Sequence, residues 1–272
     1  RHEENNDTDY IYQFEYGKWM LEIIPKNPFI FSELPSIQEN MKNMNEEFNS
    51  YIGKDSYMKI SIFPSLGVGD NYYYLPDTDS DFYQDEEFRK REIIHRESRK
   101  NNPVSKSDYI HDIITTNHPR FETFSAFSRK KTGKKPNILV PIYLDKFTER
   151  DVKDEKYPGF IHNDSFASGM GNGCLQLTAG MESLHCALYT YDQLVPLMPI
   201  ITALSACSPF FKGKLSGWDN RFLIISQSCE ERSEEELDPQ SEKFLFCPRY
   251  SYIYSYLSEH EYVQDHHNDL PK

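Results

Sequence analysis

Apolar and polar positions alternate along parts of this chain with the period of a strand and along others with the period of a helix. In residues 18–24 every second position is apolar, at Trp19, Leu21 and Ile23. This period of two predicts a strand with one buried face, from which Glu22 would point away. Pro25 would end the strand.

Helical spacing is clearest after residue 36. Ser36 and Glu39 match a capping box, and the apolar residues that follow recur at intervals of three to four: Ile37, Met41, Met44, Phe48 and Tyr51. Residues 70–107 are rich in charged side chains and tyrosine and poor in aliphatic ones, which predicts a polar surface excursion with a polar helix at 85–99.

Short apolar runs predict further elements. Strands are expected at 58–63, 137–144, 174–178 and 222–226, with Pro141 placing the second of these near a sheet edge. A helical region is expected at 182–204, broken by its two prolines. Because strands and helices do not alternate regularly, the fold class expected is α+β, in a single domain over 1–272.

Composition and charge narrow the function. The chain has 272 residues, only 38% of them hydrophobic, but 18 Phe and 19 Tyr supply apolar bulk for a core. A net charge of −13 argues against nucleic acid as the main partner and leaves ATP open, since carboxylates can hold its metal ions. We find no apolar run of membrane-spanning length, no signal peptide and no paired cysteine motif, and expect a cytoplasmic protein. The first residue is Arg, so we interpret the chain as a fragment.

Two glutamates are candidate metal ligands. Glu15 and Glu22 are seven residues apart, a spacing that would put them on opposite faces of one straight strand. Gly17 lies between them and permits a turn or bulge, after which both carboxylates could face one cavity and bind Mg²⁺ through oxygen. Solvated surface carboxylates are the alternative interpretation of the same pattern.

A glycine-rich segment and a lone arginine are candidate ligand contacts. Residues 169–173 contain three glycines, which allow a close approach of backbone to ligand, and Gln176 follows on the predicted strand. Arg221 enters the apolar run that follows it and could clamp a carboxylate with two hydrogen bonds. A salt bridge to Asp219 or to another acid is the alternative for this arginine.

Ordered blocks of sequence carry a resemblance to a known family. They are FEYGKWMLEIIPKNPF from Phe14, NHPRF from Asn117, NILVPIYLDK from Asn137, NDSFASGMGNGCLQLT from Asn163 and WDNRFLIISQS from Trp218. In this order they resemble the catalytic subunit of eukaryotic glutamate-cysteine ligase. The resemblance spans most of this chain and the middle part of a longer family sequence.

The resemblance implies a fold, a reaction and partners. The fold would be glutamine synthetase-like, with a curved, mainly antiparallel sheet under the active site. The reaction would join the γ-carboxylate of glutamate to the amine of cysteine through a γ-glutamyl phosphate, the first step of glutathione synthesis, with ATP as co-substrate and Mg²⁺ as cofactor. A regulatory subunit is a further partner that the resemblance implies.

Site residues carry over from matching positions. The resemblance implies that Glu15 and Glu22 bind metal, that Arg221 binds glutamate together with the pocket wall at Met170 and Gly171, and that Gln176 lies near ATP. It assigns no catalytic side chain. The chain departs from the family pattern at Ala167 and Ser168, at Gly173, and at Phe222 and Leu223, all beside the implied pocket.

Two other functions fit the same residues. A shortened, non-catalytic homologue would act as a binding or regulatory subunit. Another ligase of the same fold would keep the ATP chemistry and use a different amine.

Overall fold

A computed structural model describes residues 8–52, 63, 65–69, 77–79, 84–147, 156–206 and 209–258. The strands are β1 (Tyr10–Phe14), β2 (Leu21–Pro25), β3 (Ile138–Pro141), β4 (Phe160–Asn163), β5 (Phe210–Phe211) and β6 (Lys214–Leu215). The helices are α1 (Ile37–Ile52), α2 (Glu86–Asn101), α3 (Pro119–Thr132), α4 (Ala167–Met170), α5 (Leu184–Leu194), α6 (Met198–Leu204), α7 (Phe222–Ser228) and α8 (Glu234–Leu237).

The strands form three antiparallel pairs, β1–β2, β3–β4 and β5–β6, within the described residues. Helices and small antiparallel sheets together confirm the α+β class. The large curved sheet implied by the family resemblance stays a prediction. In the described part of the chain, no helix is both long enough and apolar enough to cross a bilayer.

The first hairpin, formed by β1 and β2, confirms the strand predicted at 18–24, with bounds at Leu21–Pro25. Its predicted buried face is wrong, because Leu21 is 43% exposed. Helix α1 covers the opposite end of the hairpin, where the ring of Tyr12 stacks on that of Phe48 with centroids 5.9 Å apart. Leu21 lies at the turn end of the hairpin, away from these α1 contacts, and its side chain is exposed.

Helix α1 itself is confirmed, but its predicted capping box is not. Ser36 is the last residue of a 3-10 turn, Phe31–Ser36, and its hydroxyl donates to the carbonyl of Glu33 at 2.7 Å. The cap lies six residues earlier, at the start of the 3-10 turn, where the backbone N–H of Ile30 donates to the Glu33 carboxylate at 3.0 Å.

The polar helix predicted at 85–99 is also present, as α2. Asp85 caps it by accepting from the N–H groups of Glu87 and Phe88, each at 3.0 Å. The helix is not wholly a surface element, because Glu92 and His95 on its inner face are buried. Most of residues 70–83, in the predicted excursion, lie outside the described residues, as do residues 58–62 of the strand expected at 58–63.

Two predictions in the second half of the chain are correct in kind. The strand expected at 137–144 is present as β3, and it ends at Pro141. The helical region expected at 182–204 is α5, a 3-10 turn at Val195–Leu197 and α6. Pro196 lies in the first turn of the 3-10 piece and Pro199 in the first turn of α6. At these positions a missing N–H costs nothing.

Two predicted strands are wrong. Residues 174–178 have no regular structure, and Leu175 and Leu177 are 71% and 85% exposed. Residues 222–226 belong to α7, in which Ile224 and Ser228 share the buried face at a helical spacing of four. A short apolar run does not distinguish a strand from a helix, and packing decides between them.

Among the described residues, the core has two clusters. The larger is built around the rings of Tyr16, Phe121 and Phe166, and the smaller joins Ile138, Val140 and Ile161 of the second hairpin to Phe211 and Ile224. Because Ile224 belongs to α7, that helix borders both clusters. Ile225, its neighbour, packs against the larger one.

Helices α4 and α7 approach so closely that a side chain at Gly169 has no room. A Cβ placed there would lie 2.1 Å from the Ser228 hydroxyl and 3.0 Å from the backbone Cα of Ile225. Glycine is thus required by packing, and its backbone needs no left-handed conformation.

We predict that Gly169→Ala lowers the free energy of unfolding by about 1–3 kcal/mol, the usual cost of overpacking. Urea denaturation followed by circular dichroism would measure it. The matched control is Gly180→Ala, where the added Cβ has no atom within 4 Å and the change should stay within about 0.5 kcal/mol. Equal midpoints for both variants would contradict the packing described above.

Candidate functional site

The register of the first hairpin resolves the spacing of the two candidate metal ligands. Glu22 in β2 pairs with Gln13 in β1, two residues before Glu15. Cross-strand partners project from the same face, and so does a residue two positions further along an extended strand. Glu15 directly follows β1, so extending this register by one residue would put Glu15 and Glu22 on the same side of the hairpin in diagonal positions.

Gly17 lies in the turn between β1 and β2, in agreement with the turn or bulge expected there. The N–H of Met20 donates to the Gly17 carbonyl at 2.9 Å and closes the turn between the strands. A Cβ on Gly17 would lie 2.6 Å from the indole of Trp19. Any larger residue would displace Trp19, which packs against the larger core cluster.

The turn is fixed on the segment before α3. The N–H of Lys18 donates to Ile114 O, and the N–H of Thr116 donates to Tyr16 O, each at 2.9 Å. Thr116 also donates its hydroxyl to the carbonyl of Glu15 at 2.6 Å. Tyr16 fills the core beneath, where burial raises the pKa of its hydroxyl to about 12.

The two carboxylates differ in their surroundings. One oxygen of Glu15 accepts the N–H of Tyr16 at 2.8 Å. Among the described residues, no hydrogen bond or ion pair reaches the carboxylate of Glu22, which is partly exposed. Carboxylate oxygens are the donors that Mg²⁺ prefers, so the residue types fit this ion.

The pair can supply only part of a metal shell. Mg²⁺ takes six oxygen ligands, some of them water or substrate phosphate. Within the described residues, no group of three or more Asp, Glu, His or Cys side chains is placed to hold a metal ion. A complete site would therefore need ligands beyond Glu15 and Glu22.

The glycine-rich segment is a packed helix end, and the prediction that it is a loop leading into a strand is wrong. Its first residues belong to α4, and the N–H of Gly171 donates to Ala167 O at 2.8 Å. Asn172 is buried, where it donates to Ser168 O at 3.0 Å and accepts from Phe63 N at 3.1 Å. Met170 packs against the larger core cluster.

Gly171 brings this helix end against the hairpin of β1 and β2. A Cβ placed on it would lie 3.0 Å from the indole of Trp19, inside the hairpin turn, and 2.5 Å from Ala167 O. The turn that carries Glu15 and Glu22 therefore contacts the segment that the sequence predicts to line the substrate pocket.

Arg221 joins the same region. Its guanidinium Nη2 donates to the carbonyl of Gly173 at 2.7 Å, across 48 residues of chain. Arg221 is partly buried and directly precedes α7. Gln176, three residues past Gly173, is exposed on the irregular stretch that replaces the expected strand. The hairpin turn, the glycine-rich segment and Arg221 therefore lie along one connected path of contacts. Gln176 lies beyond Gly173, at the end of that path.

Sequence reasoning missed the side chains that hold the turn. Thr116 directly precedes the NHPRF block, and no sequence pattern marked it as a residue that holds the turn. Lys18 stood out only as a polar position in a strand pattern, although its side chain is largely buried against Glu92. Burial lowers the pKa of the Lys18 ammonium below its ordinary value, while the Glu92 carboxylate opposes the shift.

Comparison with known proteins gives a consistent picture. The family model described as Glutamate-cysteine ligase matches residues 1–272. The glutamate-cysteine ligase catalytic subunit of Rattus norvegicus is 35% identical over 272 residues, covering 94% of this chain and 40% of the relative. The human catalytic subunit is 34% identical with the same coverage, and the ligase of Dictyostelium discoideum is 30% identical over 98% of this chain and 45% of its own length.

The chain spans about two fifths of the length of these relatives. The family model nevertheless matches it from end to end, across both the hairpin and the arginine segment. The chain therefore belongs to the glutamate-cysteine ligase family.

Proposed function

We propose that this chain carries the metal- and glutamate-binding part of a ligase that joins the γ-carboxylate of glutamate to the amine of cysteine at the expense of ATP. The observation that supports the proposal is the contact between the hairpin turn of Glu15 and Glu22 and the segment ending at Gly173, to which Arg221 is bonded. Metal ligands and a carboxylate-binding arginine on one packed unit suit the joining of a triphosphate to a carboxylate.

Each group has a role in this proposal. Glu15 and Glu22 would hold Mg²⁺, which neutralises phosphate charge when bound. Arg221 would bind a carboxylate of glutamate through its guanidinium, with the backbone near Gly171 forming the pocket wall. Gln176 would lie beside the nucleotide.

The proposed reaction has two steps. A γ-carboxylate oxygen attacks the terminal phosphorus of ATP and ADP leaves, which gives an acyl phosphate. The cysteine amine then attacks the acyl carbon, phosphate leaves, and the amine loses a proton. Chain segments outside the described residues would complete the ATP site, since two carboxylates cannot fill the metal shell.

The reaction itself is tested by ADP release from the intact protein with ATP and Mg²⁺. We expect release that requires glutamate and cysteine together, with γ-glutamylcysteine detected by mass spectrometry. Much faster turnover with another amine would change the acceptor. Glutamate binding without any amine-dependent ADP release would instead support a binding or regulatory subunit.

For the metal pair we predict that Glu22→Gln weakens Mn²⁺ binding by at least about tenfold, because an oxygen ligand loses its charge. Titration of the intact protein followed by electron paramagnetic resonance measures this directly. Glu46→Gln is the matched control, since Glu46 is an exposed glutamate on α1 paired only with exposed Lys42. Unchanged Mn²⁺ affinity in Glu22→Gln would remove Glu22 from the site.

For Arg221 we predict that the lysine variant raises the KM for glutamate by about 10–100-fold, the equivalent of a lost hydrogen bond to a charged group of about 1.5–3 kcal/mol. Lysine can still donate to Gly173 O, so the contact of residue 221 with the glycine-rich segment should hold. The KM for ATP should stay unchanged. Arg249→Lys is the control, an exposed arginine stacked on Tyr250. A parallel rise in both KM values would indicate a structural role for Arg221.

A further inference from the structure

The side chain of Lys18 leaves the hairpin turn and enters a buried polar cluster. Its ammonium pairs with Glu92 of α2 and lies 3.3 Å from Nδ1 of His95. The side chains of Lys18 and Glu92 are only 13% and 4% exposed. An ion pair this deep differs from the exposed pairs on the outer face of the same helix, such as Lys90 with Glu86.

The cluster continues through α2 to α3. Nε of Arg96 donates to Glu92 at 2.8 Å, from the same helix. Nε2 of His95 lies 3.1 Å from Glu122 of α3, and Arg99 donates to that carboxylate at 2.9 Å. Glu92 is thus held by its own helix, and Lys18 is the member of the cluster that lies in the turn.

Burial of such a pair needs a reason other than stability. Removing two charges from water costs free energy that their attraction only partly returns, so a buried pair is weak evidence for stability. Lys18 is three residues from Glu15 and four from Glu22, so the pair ties the turn between the two glutamates to α2. Backbone bonds join the turn to Ile114 and Thr116, and the Lys18 ammonium adds a side-chain contact with α2.

We propose that Glu92 is a positioning residue for the metal pair. By holding Lys18 it fixes the turn, so that Glu15 and Glu22 face one cation. This inference rests on the proposed function, since it assumes that the two glutamates bind metal. Glu92 itself touches neither substrate nor metal in this scheme.

The test is Glu92→Gln in the intact protein, with Mn²⁺ as the probe. We expect about tenfold weaker Mn²⁺ binding, the lower end of the loss seen when a partner of a metal ligand is changed. The Mg²⁺ concentration for half-maximal ADP release should rise by the same factor, while kcat at saturating Mg²⁺ stays within about twofold. Hydrogen exchange of the amides of residues 16–20 should be faster.

Three variants make the outcome decisive. Arg96→Gln removes the bond to the same carboxylate from within α2 and should leave Mn²⁺ affinity unchanged. Glu92→Asp keeps the charge and should restore most of the affinity. Lys18→Met breaks the pair from the turn and should match Glu92→Gln, which keeps the test open if one of the two variants fails to fold.

The results separate this inference from the proposed function. If Glu22→Gln weakens Mn²⁺ binding and Glu92→Gln does not, the positioning role is wrong while the metal pair stands. A lower kcat with unchanged Mn²⁺ affinity in Glu92→Gln would likewise make Glu92 structural only. If Glu22→Gln has no effect on Mn²⁺ affinity, the proposed metal pair is wrong.

Discussion

The docking of the β1–β2 turn on residues 112–116 is the interaction on which the candidate site depends. Two backbone hydrogen bonds, Lys18 N to Ile114 O and Thr116 N to Tyr16 O, fix it. Backbone groups that are buried must find partners, so the turn and the segment before α3 satisfy each other. The position of Glu15 follows, because its own carbonyl accepts from Thr116.

Aromatic packing supports this docking from below. Tyr16 projects from the turn into the core, where its ring centroid lies 5.4 Å from that of Phe166 and 6.1 Å from that of Phe121. Phe166 directly precedes α4, so one ring contact ties the turn to the glycine-rich segment. The many Phe and Tyr residues thus compensate for the low aliphatic content by linking elements that are far apart in sequence.

Local pattern predicted much of the fold and less of the site. Helix α1, strand β2 and the helical region broken by Pro196 and Pro199 were predictable, because each is encoded within one stretch of sequence. The apolar run from Phe222 was misassigned to a strand, since its helical form depends on α4 packing against it at Gly169. The common face of Glu15 and Glu22 follows from a cross-strand register, which spacing along one strand cannot show.

The same limit explains why the conformation of the glycine-rich segment was predicted wrongly. The spacing of Gly169 and Gly171 suggested a loop open to a ligand, whereas both residues lie in or beside a helix whose neighbours leave no space for a Cβ. Gly169 faces Ser228 of α7, and Gly171 faces Trp19 of the hairpin turn. Helix α4 lies between α7 and the hairpin turn. A larger side chain at Gly169 or Gly171 would therefore displace the backbone that leads to Gly173. That backbone includes the Gly173 carbonyl, which accepts from Arg221, so packing at the two glycines links the arginine to the hairpin turn.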